Sequence, residues 1–274
     1  MKRLLALLSA LLLSLTLASC SNGENIETSE SASTSENLGS VTVFAAASLR
    51  DALQELNEEV FLKDHPGTKV TFNFDGSQNL VSGINQGQPA DILLTADQKN
   101  MTKAIKNGDV ESDVSYATNT MVMVTPADNP ADVKEFTTGG LAGKKLVICA
   151  PDVPCGNATK KLAEQNGVEL NPVSEEQNVK DVQAKITTGE GDVGLIYKTD
   201  AMNAGDKVQV IEIHGADKVV NDYRIAVVKN ASNKDGAQAF MDAVLSDAGQ
   251  RILAKYGFTP PDQQLISKKQ RPGC

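Results

Sequence analysis

The chain has 274 residues, 41% hydrophobic and 22% charged, with 35 acidic side chains against 26 basic ones and a formal net charge of −9. An acidic chain without a basic cluster is not built for nucleic acid, whose affinity rests on Lys and Arg neutralising phosphates, so that partner is excluded. With two histidines, His65 and His214, and no Gly-x-Ser-x-Gly elbow or His-Glu-x-x-His motif, the chain also lacks the usual signatures of hydrolases and metalloproteases.

Met1-Lys2-Arg3 precedes an almost wholly apolar run from Leu4 to Leu17, followed by Ala18-Ser19-Cys20. The run is too short to stay in a bilayer as a spanning helix, and its charged start and small-residue end predict a secretory signal over residues 1–19. Leu17-Ala18-Ser19-Cys20 is similar to a bacterial lipobox, which makes Cys20 the expected lipidated first residue. Loss of residues 1–19 removes two positive charges and leaves −11. Residues 20–40 are dominated by Ser, Glu, Asn and Thr, with Ile26 and Leu38 the large apolar residues among them. So little apolar surface cannot offset ordering entropy, so this stretch reads as a flexible tether.

The body from Val41 onward is long enough for one large or two medium domains with real cores. Strand-like runs at Val41 to Ala46, Lys69 to Phe74, Asp91 to Ala96, Met121 to Thr125, Lys145 to Ala150, Asp192 to Thr199, Gln209 to Ile213 and Tyr223 to Val228 alternate with helical patterns. Two helical stretches, near Asp235 to Leu245 and Ala248 to Tyr256, end the body. This alternation predicts α/β architecture, with parallel sheets covered by helices. Ligands of such sheets sit where strands give way to helices, and four junctions of that kind carry suitable residues. Ser48 follows the first strand and precedes an amphipathic pattern of Leu49, Leu53, Leu56 and Val60, with Asp51 completing a capping box. Ser77 follows Asp75-Gly76, with Gly76 read as allowing the turn. Pro151-Asp152-Val153-Pro154-Cys155-Gly156 leads into a helix, and Asn178 with Asp181 caps another that begins at Val179. Free N–H groups and the positive end of a helix dipole suit each junction to an anion.

Phe44-Ala45-Ala46-Ala47-Ser48-Leu49, Gln88 to Asp97, Asp152 to Gly156, Asp192 to Ala201 and Lys255-Tyr256-Gly257-Phe258 follow one another in order. In this they closely resemble the substrate-binding lipoproteins of molybdate ABC transporters, over essentially all of Val41 to Phe258. The resemblance implies a two-lobed type II periplasmic-binding-protein fold. Each lobe would be a mostly parallel sheet flanked by helices, and two crossing strands would join them. Lobe I would comprise residues 41–120 and 223–274, and lobe II residues 121–222.

The implied function is capture of molybdate or tungstate outside the cytoplasm, by a monomer tethered to the membrane through its lipid, for delivery to an ABC permease. No cofactor and no enzymatic activity are expected. The implied oxyanion ligands are the hydroxyls of Ser48, Ser77 and Tyr197 and the backbone amides of Cys155 and Val179, with molybdenum present only inside the oxyanion. A site made of donors alone should reject protonated phosphate, because an unpaired buried hydrogen-bonding group costs about 1–3 kcal/mol.

Asp75 and Asp152 flank the proposed site, and a carboxylate turned inward would reverse that selectivity. Cys155 stands where the family commonly has alanine. A Cys149–Cys155 disulfide and two free thiols both fit the sequence, and Cys274 has no assigned role. The alternatives are a binder of another tetrahedral oxyanion, sulfate or phosphate, or a thiol-dependent enzyme using Cys155.

Overall fold

The computed structural model describes residues 36–261. The expected signal peptide, Cys20, most of the tether and Cys274 lie outside the described residues. Within them the chain builds two five-stranded sheets. The first holds β1 (Ser40–Ala46), β2 (Lys69–Asp75), β3 (Ile92–Thr95), β4 (Val114–Asn119) and β10 (Asn221–Val227), in the order β2-β1-β3-β10-β4. The second holds β5 (Met121–Pro126), β6 (Leu146–Cys149), β7 (Ser174–Glu176), β8 (Val193–Tyr197) and β9 (Val208–Ile211), in the order β7-β6-β8-β5-β9.

Both sheets follow one plan. Four strands run in a common direction and a single reversed strand lies between the third and last: β10 between β3 and β4, and β5 between β8 and β9. In each case the reversed strand is the one the chain enters on arriving from the other sheet. Only Thr120 separates β4 from β5, whereas the return runs from the end of β9 at Ile211 to Asn221.

The central strands are buried throughout: Ile-Leu-Leu-Thr in β3, Leu-Val-Ile-Cys in β6 and Val-Gly-Leu-Ile-Tyr in β8. Continuous apolar runs of this kind belong in sheets covered on both faces. Alternation along β1 sorts its side chains. Val41, Val43 and Ala45 join the core beneath α1 (Arg50–Leu56), α9 (Lys234–Leu245) and α10 (Asp247–Lys255), while Phe44 joins a second core under α3 (Ser77–Asn85) and α4 (Gln98–Asn107). After α1 the helix continues as a π-helical stretch, Asn57–Phe61, into the short α2 (Leu62–Asp64). The second sheet carries α5 (Thr138–Leu141), α6 (Pro154–Asn166), α7 (Val179–Thr187) and α8 (Lys198–Ala204).

Two strands escape the sequence pattern. β4 is Val-Ser-Tyr-Ala-Thr-Asn and β7 is Ser-Glu-Glu, and both lie at sheet edges, where one side of the ladder has no apolar neighbour to select for.

Candidate oxyanion site

Ser48, Ser77, Cys155, Val179 and Tyr197 all line one cleft between the two sheets. The two serines follow β1 and β2 of the first sheet, while Cys155 and Val179 open α6 and α7 and Tyr197 ends β8 of the second.

Neither serine is the helix cap its spacing suggests. Ser48 sits inside a 3₁₀ turn, Ala47–Leu49, whose N-cap is Ala46, and no side-chain cap bond forms there or at the start of α1. Ser77 is the first residue of α3, after Gly76 at the N-cap. Both hydroxyls make tertiary contacts instead. Ser48 Oγ lies 2.9 Å from the hydroxyl of Tyr223, and Ser77 Oγ accepts the Ala96 N–H at 3.0 Å.

The third hydroxyl is arranged in the same way. Tyr197 OH accepts from Asn221 Nδ2 at 3.0 Å, and that amide also donates to Ala96 O at 3.0 Å. Tyr223 OH also receives Asn119 Nδ2 at 3.4 Å, and either hydroxyl can be the donor between Tyr223 and Ser48. A hydroxyl has one proton and two lone pairs. Ser77 and Tyr197 therefore each take a bond from the protein and have a proton to give to the cleft, and Ser48 does the same when Tyr223 donates to it. Burial pushes Tyr197 well above the usual phenol range, helped by Tyr223 and by the carboxylates of Asp97 and Asp200; burial likewise raises Tyr223. Both remain neutral donors at physiological pH.

The two amides are free by position. Cys155 is the second residue of α6, behind Pro154 at its start, and Val179 is the first of α7. First-turn N–H groups have no carbonyl of their own helix to reach. Asn178 caps α7 by accepting from Asp181 N at 3.1 Å, which spares the Val179 amide. Cys155 is joined to Cys149 by a disulfide with Cα atoms 5.7 Å apart. The thiol that a cysteine-dependent enzyme would need is consumed there. Next to it a Cβ on Gly156 would fall 1.9 Å from Ala150 O, so glycine is required for the turn to fold back on its strand.

Of the two flanking carboxylates, Asp75 lines the cleft and Asp152 does not. Asp75 Oδ1 takes the Gly76 N–H at 2.7 Å and Oδ2 takes Asn79 Nδ2 at 3.1 Å, so both oxygens are used by their own turn. Asp152 is exposed and does not line the cleft.

The two sides of the cleft are in contact. Gln78 Nε2 of α3 donates to Gln177 O at 2.8 Å, and an ideal Cβ on Gly76 would lie 2.2 Å from the same carbonyl. Gly76 has φ −61° and ψ 138°, a conformation open to any residue. It is glycine because backbone from the opposite side comes close, not because the turn needs it.

Beside the cleft, Lys180 Nζ lies 3.1 Å from Asp51 Oδ2 and 3.0 Å from Asp200 Oδ1. Burial works against its charge, but Asp200 and Asp51 outweigh that and hold the ammonium above its ordinary range. Burial raises Asp200, partly offset by Lys180.

Tyr223, Asn119 and Asn221 support the donors and were not singled out from sequence as site residues. Their one sequence signal is position, as polar groups in apolar strands at the points where the chain changes sheets.

Comparison with known proteins agrees with the two-sheet fold. Residues 41–259 match the family model described as bacterial extracellular solute-binding protein. A molybdate-binding protein of Mycobacterium tuberculosis is 40% identical over 240 residues, covering 87% of this chain and 92% of the relative. That of Escherichia coli is 32% identical over 233 residues, covering 81% and 89%. Among solved structures, a periplasmic molybdate-binding protein of Azotobacter vinelandii superposes with a TM-score of 0.69 at 19% identity, covering 81% of this chain and all of that one.

Proposed function

The chain belongs to the bacterial extracellular solute-binding proteins, and we propose that it captures molybdate outside the cytoplasm and delivers it to an ABC importer. Its relatives at 40% and 32% identity are molybdate-binding proteins. It is a carrier, not an enzyme, and molybdate is its cargo rather than a cofactor.

The observation that carries the reading is the donor set: the hydroxyls of Ser48 and Ser77 on one side of a cleft and, on the other, the Tyr197 hydroxyl with two helix-start amides, with Ser77 and Tyr197 already accepting a bond from the protein. In our reading the oxyanion is held by Ser48, Ser77, Tyr197 and the amides of Cys155 and Val179. Donors fixed in this way need little reorganisation as the cleft closes on a dianion. Asp75, the one carboxylate among the lining residues, is engaged by Gly76 N–H and Asn79 Nδ2, which disfavours hydrogen phosphate, whose proton would otherwise go unpaired at about 1–3 kcal/mol. Tungstate, with the same shape and charge, should bind as well. The two lobes would meet at Thr120 and just before Asn221, where β10 already belongs to the first sheet and shifts the expected boundary after residue 222 back by two residues, with these crossings as the hinge. Cys20 would carry the lipid that keeps the monomer at the membrane beside its permease.

Thermal melting with added oxyanions tests the reading. Molybdate or tungstate at a hundredfold over the dissociation constant should stabilise the protein by about 2.7 kcal/mol, with little effect from sulfate or phosphate. Equal shifts with phosphate would refute the molybdate reading. Retention of Cys20→Ala protein at the membrane would refute the anchor.

A further inference from the structure

Lys180 follows Val179 directly but is not part of the cleft lining. Its ammonium turns to two carboxylates of different origin. Asp200, near the start of α8, belongs to the same sheet layer as Lys180, and its side chain is fully buried; Asp51, on α1 of the other layer, is 34% exposed, and Lys180 itself 21%. Asn203, one helical turn beyond Asp200, donates to the same Asp51 oxygen that Lys180 contacts. Asp51 is therefore gripped from the opposite layer by a cation and an amide, on two different helices.

The two halves of this network differ in what would break them. Lys180 and Asp200 both belong to the layer of the second sheet, and apart from the 3.0 Å ion pair to Lys180 neither oxygen of Asp200 has a hydrogen-bond partner. Its burial ties it to Lys180, so that pair persists whatever the cleft does. The bonds to Asp51 exist only while the layers are together. Lys180 thus stays charged and in place with its remaining valence aimed at Asp51.

Building on the reading of the cleft as a molybdate site, we propose that Asp51, with Lys180 and Asn203, forms a latch across the cleft that sets how slowly the bound oxyanion is released. The latch touches no ligand. Asp51 is a positioning residue that holds the donors of the two layers around the anion.

The sign of one substitution separates the latch from simple electrostatics. Asp51→Asn removes a negative charge near a dianion, so charge alone would tighten binding and slow release. Loss of a latch speeds release. This variant also leaves Lys180 paired with Asp200, avoiding the unpaired buried carboxylate that a Lys180 substitution would create. Release of sodium molybdate can be followed by stopped flow through tyrosine fluorescence, since the chain has no tryptophan and two tyrosine hydroxyls belong to the site.

At about 0.05 M salt, Asp51→Asn should release molybdate roughly two- to fivefold faster than wild type, as expected for a partly exposed ion pair. The difference should shrink towards about 0.5 M salt, where the wild-type pair is screened. Asn203→Ala, which changes no charge, should also speed release. Release from Asp51→Asn at or below the wild-type rate overturns the latch, as does a difference independent of salt. Wild-type protein that binds no molybdate overturns the reading of the site and the latch with it.

Discussion

Replacing Gly76 by alanine probes closure without touching a ligand donor. The added Cβ would lie 2.2 Å from Gln177 O, against about 3.3 Å for a close carbon–oxygen contact, so the layers must part there by about 1 Å. The backbone of Gly76 already suits alanine. The ligand-free protein should therefore fold normally and gain about 0.4–1 kcal/mol from a more restricted unfolded chain. The cost falls on binding. Cys155 and Val179 lie on the side that is pushed away, and a hydrogen bond to a charged group contributes about 1.5–3 kcal/mol. Losing both amides weakens binding by about 3–6 kcal/mol, roughly 10²- to 10⁴-fold in Kd. Titration calorimetry with molybdate, beside thermal melting of the ligand-free protein, reads the two effects separately. A Kd within threefold of wild type would refute the close approach at Gly76 as a determinant of binding. Melting several degrees lower without ligand would place the damage in the fold instead.

Three further outcomes follow from the site. Ser48→Ala and Tyr197→Phe each remove one donor to a dianion and should weaken molybdate binding by about 1.5–3 kcal/mol while the circular dichroism spectrum stays unchanged; wild-type affinity in either would mean that hydroxyl serves only its protein partner. Replacing both Cys149 and Cys155 by serine opens a short loop and should cost about 2 kcal/mol of stability, yet leave molybdate affinity within a few-fold, because residue 155 binds through its backbone; loss of binding in a folded double variant would contradict that. Asp97 is raised by burial, against its bonds to Asn100 and the charges of Lys99 and Lys161, so the native state binds that proton more tightly than the unfolded chain. Stability must then fall as pH rises from about 4 through the folded pKa. Asp97→Asn keeps the cap bond to Asn100 N and should remove this slope, melting above wild type at pH 7 with a gap that narrows towards pH 4; parallel pH profiles would sink the argument.

The sheet framework is legible because the buried central strands are continuous apolar runs. Ile92 to Leu94 and Val193 to Tyr197 can be little else when helical patterns flank them. β7 is not legible, since Ser-Glu-Glu pairs through its backbone at an edge and asks nothing of its side chains. At the site, the strand-to-helix junctions identify the right residues for a partly mistaken reason. Ser48 and Ser77 resemble caps in sequence, but their hydroxyls bond to Tyr223 and Ala96, residues 175 and 19 positions away. A local pattern cannot report a partner that distant. Asn178 does cap its helix, because that interaction spans three residues and is written in the spacing. The contact between Gly76 and Gln177 is likewise invisible from either segment alone.

The reversed strand of the first sheet has a consequence for the order in which the protein comes into being. β10 lies between β3 and β4 and is the neighbour through which β4 joins the sheet, yet it is made about a hundred residues after β4. As the chain lengthens, the second sheet can be complete while the first still waits with a gap between β3 and β4. The strand that fills the gap also brings Tyr223 to Ser48 and Asn221 to Tyr197. A product cut short before residue 221 has neither a finished first sheet nor the partners of the Ser48 and Tyr197 hydroxyls. The binding site therefore cannot exist ahead of the fold, and a truncated copy cannot compete for ligand with the finished protein.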